Sequence, residues 1–345
     1  MPLPKLDLRH RWIPILCVLI AAPICAEFLQ MYLPNSGEIV FILIAMVIFA
    51  PLYGGAALLI REVAVRRGLG WTGIVLLAVA FGILMPGIVD LALFAEHRPD
   101  IAYWEEMREA TLITPLGISA STTITWIAGH VFMSVGAPLA LLATLAPQHR
   151  GRPLLGRWGI VTIVVLFLLA AAFIRQDAVA TYEYQPTVVQ TAAVAAVVIA
   201  LVALALSRVG RPVPAIGSGV SRGWLLVLSG AVGMFLIDAT PYSWGGTLFM
   251  VGILLAMAVA SRRLAVAKSW SPYDIGAVAA GALVGRTLIG FLSPPVEGMS
   301  IALKLVQSSA LLAGVLIIAW LVLHQRAAAH SSNVDSDQIA ADTKS

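Results

Sequence analysis

The sequence predicts an all-α integral membrane protein, a bundle of about ten transmembrane helices with both termini in the cytoplasm. Three observations carry that expectation. Apolar residues make up 60% of the 345-residue chain and charged residues only 12%, where soluble domains run at about 45–50% and about 25%. Mean hydropathy is +0.92, too high for a soluble protein to cover its surface. The apolar residues also form continuous runs of about 20, the length of a helix that crosses a hydrocarbon core. A transmembrane barrel would instead show alternating segments of about 10 residues. Soluble enzymes, secreted disulfide scaffolds and disordered chains are therefore excluded.

In chain order the expected spans are 12–33, 38–60, 70–94, 122–146, 157–174, 187–207, 223–240, 246–260, 274–293 and 300–323. The seventh and eighth are divided only by a short turn, Ala239–Gly245. Cationic residues bear on the count independently. Lys5, Arg9 and Arg11 precede the first span, and Arg61, Arg66 and Arg67 follow the second. His149, Arg150, Arg152 and Arg157 follow the fourth, and Arg208, Arg211 and Arg222 the sixth. Arg262, Arg263 and Lys268 follow the eighth, and Arg326 the tenth. Alternate connections lack this excess, and the longest carries Glu96, Asp100, Glu105, Glu106 and Glu109 against Arg98 and Arg108. Cytoplasmic loops are the basic ones. Residues 1–11 thus read as a cytoplasmic N-terminus, 12–323 as a polytopic membrane domain and 324–345 as a disordered cytoplasmic tail rich in Ala, Ser and Asp. The basic-then-apolar start reads as an uncleaved first span, because Ile24 stands where a cleavage site needs a small residue.

The net charge of +4 does not indicate nucleic acid, since the cations sit at the ends of apolar runs and form no basic face. Cys17 and Cys25 share one helix, about 12 Å apart at a rise of about 1.5 Å per residue, too far to pair.

Several features break the helical pattern. Pro51 with Gly54 and Gly55 interrupts span two, Met85-Pro86-Gly87 span three, and Gly136 with Pro138 span four. A mid-helix proline frees a carbonyl and bends the helix. Gly281 and Gly285 form a small-xxx-small pair that predicts close helix contact. Trp12, Trp158 and Trp244 fit an interfacial belt. In the acidic loop, Ile101, Trp104, Met107 and Thr111 recur at helical spacing, which predicts an amphipathic segment on the outer interface. Glu62 has Arg66 four residues on, a helix-surface pair.

Ionisable groups inside spans are the strongest functional signal, because each costs about 2.5–3.5 kcal/mol at a helix centre. Glu27, Asp90, His130, Asp238, Arg286 and Lys304 lie on six spans at one depth, in the outer half of the bilayer. Arg286 lies about 10 Å inside its span and requires a carboxylate, Asp90 or Asp238. His130 has Trp126 one turn before it and Ser134 one turn after. Asp90, His130, Asp238 and Arg286 form the candidate substrate-binding set, with Glu27 and Lys304 secondary. Lys304, near the start of its span, is expected to snorkel to water. No phosphate loop, dinucleotide fingerprint, HExxH, CxxC or GxSxG motif occurs, so no catalytic residue, metal or cofactor is expected. The expected partners are the lipid bilayer and a small-molecule solute or lipid.

Between Gly54 and about Leu145, the stretch Gly55-Ala56-Ala57-Leu58-Leu59-Ile60-Arg61-Glu62, then Gly70-Trp71, Gly129-His130-Val131 and Ala137-Pro138 resembles a group of uncharacterised multi-pass proteins of high-GC Gram-positive bacteria. That group is similar to the CAAX-protease and bacteriocin-processing intramembrane protease family. Trp126-x-x-x-His130 resembles that family's later histidine element, whereas Met85-Pro86 stands where its paired glutamates are expected. The resemblance implies a bacterial cytoplasmic membrane and a non-catalytic scaffold. The residues themselves favour permease-like handling of a small polar or amphiphilic solute through an outward-facing cavity. The competing reading is a membrane-embedded enzyme with His130 as general base.

Overall fold

The computed structural model describes residues 11–33, 37–213, 222–267, 270–296 and 299–342, with side chains described as far as residue 328. Expectations that rest on Lys5, Arg9 and Lys268 lie outside the described residues. The described residues are all-α apart from one two-stranded hairpin. Its helices are α1 (Trp12–Phe28), α2 (Ile39–Arg67), α3 (Trp71–Val89), α4 (Trp104–Glu109), α5 (Ala120–Leu145), α6 (Arg157–Tyr182), α7 (Val188–Leu206), α8 (Gly223–Asp238), α9 (Trp244–Ala267), α10 (Pro272–Leu292) and α11 (Ile301–Asp342). Among the described residues, eight are long and apolar enough to cross a membrane: α2, α3, α5, α6, α7, α9, α10 and α11. The apolar helices α1 and α8 are shorter. With 16 residues, α8 measures about 24 Å against a hydrocarbon core of about 30 Å.

Several ends differ from the hydropathy reading. α2 runs through its basic group to Arg67, α6 through Arg175 to Tyr182, and α9 to Ala267. Helix formation does not stop where apolar residues stop, because Arg and Gln are good helix formers. α11 likewise continues as helix to Asp342, through residues whose composition predicted a disordered tail. The acidic loop holds α4 and then the antiparallel pair β1 (Leu112–Ile113) and β2 (Ile118–Ser119), turned through Gly117 in the left-handed region at φ 67°. The amphipathic reading of this loop holds: Trp104, Met107 and Thr111 are buried, Glu105 and Glu106 exposed. The Trp104 indole donates to the carbonyls of Ala95 and Glu96 and its ring stacks on Trp126.

The prolines shape four helices in the same way. Wide π-helical turns occur at Ile24–Phe28, Ala50–Gly54, Met85–Val89 and His130–Gly136. Pro23 precedes the first, Pro51 and Pro86 lie within the second and third, and Pro138 follows the fourth. A proline withholds its N–H and collides with the preceding turn, and an i→i+5 turn accommodates both.

Two apolar clusters form the interior. One joins α1, α2, α3, α5 and α6 through Val18, Leu52, Leu58, Phe81, Val135 and Ile163. The other joins α1, α5, α8, α9, α10 and α11 through Leu29, Met133, Met234, Met250, Leu283 and Val322. α1 and α5 contribute to both and form the seam between them. Outward faces such as Trp12, Trp158 and Trp244 remain exposed, as lipid-facing surfaces do. The predicted small-residue contact joins α10 to α8. A Cβ at Gly281 would lie 1.9 Å from the Val227 carbonyl oxygen, one at Gly285 2.2 Å from that of Ala231, and one at Gly230 2.0 Å from that of Val278. The two backbones therefore touch with no room for side chains.

Gly281→Leu or Gly285→Leu should force α8 and α10 apart, a loss of at least the ~1–3 kcal/mol typical of overpacking. Thermal unfolding of the purified protein in detergent should fall by several degrees for either variant. Gly252→Leu, at an open position on α9, should leave it unchanged.

Candidate functional site

The close approach of α8 and α10 sets Asp238, the last residue of α8, beside Arg286 on α10. Arg286 Nη1 lies 2.7 Å from Asp238 Oδ1, and their side chains are only 11% and 2% exposed. Arg286 is thus paired with the second of the two carboxylates expected for it. A second guanidinium nitrogen, Nη2, reaches the Ala26 carbonyl at 3.5 Å, and the Gln30 side chain faces Asp238. The ion pair therefore draws the π-helical end of α1 against α8 and α10. Among the described residues, Arg286 Nε and Asp238 Oδ2 are buried with no hydrogen-bond partner.

That same turn of α1 carries Glu27, 8% exposed. Its carboxylate accepts a hydrogen bond from the Tyr32 hydroxyl and lies within electrostatic reach of Tyr53, which stands in the π turn of α2. Tyr53 in turn stacks on the imidazole of His130, with ring centroids 5.8 Å apart, and Phe81 of α3 meets that imidazole edge-on at 5.3 Å. His130 Nδ1 lies 3.1 Å from Ser134 Oγ, the partner one turn on that the spacing indicated. Trp126 stacks on Trp104 instead.

Asp90 ends the π turn of α3, and its Oδ1 accepts from the Ala92 amide at 2.9 Å, next to Leu91 in the left-handed region at φ 60°. It does not pair with Arg286; its charged neighbours are Arg98, Glu27 and Asp100. Arg98 lies over the rings of Trp104 and Tyr182 and is bonded to Asp100 at 2.6 Å. Burial works against its charge, but Asp100, Tyr182 and Asp90 outweigh burial and hold its proton more firmly than usual. Lys304 stands apart from the group. It is 3% exposed, and its ammonium donates to the Ser293 and Pro294 carbonyls after α10. The expected snorkelling is corrected: these carbonyls have no helical donor, and the lysine satisfies them in place of water.

Of the six expected residues, Asp238 and Arg286 pair directly, His130 stacks on Tyr53, and Glu27 lies within electrostatic reach of both Tyr53 and Asp90. Tyr32, Tyr53 and Gln30 join them without having been singled out, since neutral polar residues carry no insertion penalty large enough to mark them. Tyr53 had one signal, its place between Pro51 and Gly54. A cavity of about 280 Å³ lies elsewhere, at the opposite ends of α3 and α10, lined among others by Arg61, Trp71, Leu139, Arg150 and Pro272. Among the described residues no group of three or more His, Cys, Asp or Glu is placed to hold a metal ion. Compared with protein-family models, curated proteins and solved structures, the chain gives no significant match to any of them.

Asp238→Ala should leave Arg286 buried and unmatched, destabilising the protein by about 3–5 kcal/mol. Asp238→Leu combined with Arg286→Met should recover most of that loss, as read from a double-mutant cycle of unfolding midpoints in detergent. Additive losses would mean that the two groups are not energetically coupled.

Proposed function

We propose that the chain is a ten-span protein of the bacterial cytoplasmic membrane, with both termini in the cytoplasm, that moves a small polar or amphiphilic solute past its buried polar centre. The alternation of basic and acidic connections supports the orientation, and the ten apolar helices, two of them short, support the count. One observation carries the functional reading. Ionisable or hydroxyl side chains from α1, α2, α3, α5, α8 and α10 neighbour one another, and those on α1, α2, α3 and α5 sit in or beside π turns. Polar groups are retained within a bilayer at solute pathways and proton relays, and interrupted helices are a feature of transporter sites.

The roles follow from the contacts. Arg286 is the group for an anionic moiety, which would exchange for Asp238 as its partner. Glu27 and His130, on either side of Tyr53, are the polar groups that a passing solute would meet next. The π turns supply the movement, because their weaker backbone bonding lets a helix change register there. A non-catalytic scaffold is the second reading, favoured by the closed Arg286–Asp238 contact, which clasps helices whether or not a solute binds.

Cysteine accessibility separates the two. In a background lacking Cys17 and Cys25, single cysteines at Tyr32, Asp90 and His130 leave the ion pair intact. Treatment of intact cells with a membrane-impermeant thiol reagent should label at least two of the three from outside. Well-expressed variants that all resist labelling would overturn the solute pathway in favour of the scaffold.

A further inference from the structure

The cavity at the opposite ends of α3 and α10 belongs to no part of the polar centre, and its charges do not balance. Glu62 is fully occupied. It lies 3.3 Å from Arg61 and 3.1 Å from Arg66 and accepts the amides of Leu154 and Leu155 at 2.6 and 3.2 Å. Arg61 Nη2 donates to the carbonyls of His149 and Arg152, at 2.7 and 3.0 Å. These bonds pin the turn between α5 and α6, and that turn presents Arg150 at the cavity. Arg150 donates through Nε to the Ala143 carbonyl and lies over the Tyr273 ring, 4.3 Å from its centroid. Among the described residues it has no ion pair, and its buried Nη2 has no acceptor. The rest of the cavity wall is largely apolar, including Leu69, Ile74, Leu139 and Leu142.

A guanidinium fixed by an aromatic face and a backbone carbonyl, with a bare donor beside an apolar cavity at helix ends, is suited to an oxyanion carried on an apolar body. On the ten-span topology proposed above, these helix ends lie at the cytoplasmic interface, where a bilayer presents phosphate headgroups. We propose that this cavity is a binding site for a phosphate-bearing anion, with the phosphate against Arg150 and the adjoining part of the molecule against Leu139 and Leu142. The cation that the chain leaves unmatched is matched by the ligand.

The full-length protein in a neutral detergent would be mixed with phosphatidylglycerol or phosphatidylcholine, and bound lipid counted by native mass spectrometry. A parallel arm would use glycerol 1-phosphate as a soluble competitor and as a ligand by itself. The wild type should retain phosphatidylglycerol at least about tenfold better than Arg150→Gln. Leu142→Trp, which fills the cavity while leaving Arg150 in place, should show the same loss even if Arg150→Gln fails to fold. Arg262→Gln, on α9, should behave as wild type. Retention of lipid without competition by glycerol 1-phosphate would assign a membrane source for the phosphate. Binding of the soluble phosphate alone, lost in both variants, would assign a soluble source. Binding of neither, or equal binding in wild type and both variants, would overturn the site.

Discussion

Burying a charge in an apolar bundle is tolerable only if a partner is brought to it, and the arrangement of this protein follows from that constraint at Arg286. Its partner is on α8, so α8 and α10 must touch, and they touch because Gly230, Gly281 and Gly285 present no side chains between them. Its second contact is the Ala26 carbonyl, made available because the end of α1 is a π turn. One guanidinium thereby fixes three helices at one level. Glu27, one residue beyond Ala26, is set at the seam by the same contact, and through Tyr53 the order passes on to α2 and α5.

The prolines act on the same region from the backbone. A π turn lengthens the path between successive bonds and leaves carbonyls less firmly held, which in lipid is acceptable only where other groups can serve them. The polar side chains are those other groups. Arg286 serves the Ala26 carbonyl, and Arg175 of α6 donates to the Ile88 carbonyl in the π turn of α3. Side-chain polarity and backbone irregularity thus occur together because each makes the other affordable.

Hydropathy alone made the all-α architecture legible, since a spanning helix needs a run of apolar residues whatever its neighbours are. The proline positions located three of the four π turns, and helical spacing found the Glu62–Arg66 and His130–Ser134 contacts, which are local. Long-range pairing was only narrowed: Arg286 had two candidate carboxylates, and nothing in sequence distance separates residue 90 from residue 238. Tyr32 and Tyr53 stayed out of view because a tyrosine at a membrane interface is ordinary, and its role depends on which carboxylate packing brings to it. Lys304 was misjudged because the carbonyls it satisfies become unpaired only once α10 ends at Leu292, a fact of the folded chain. The helical course of α11 beyond its span was hidden by a composition that also suits disorder.

The 48 residues that separate Asp238 from Arg286 also set a schedule for biogenesis. At about 5–20 residues per second of synthesis, Asp238 leaves the ribosome roughly 2–10 seconds before its partner. During that interval α8 is a short apolar segment ending in an unmatched carboxylate. Asp238 gains its ion pair only once α10 has been made, so the last of these three helices to be synthesised secures the first.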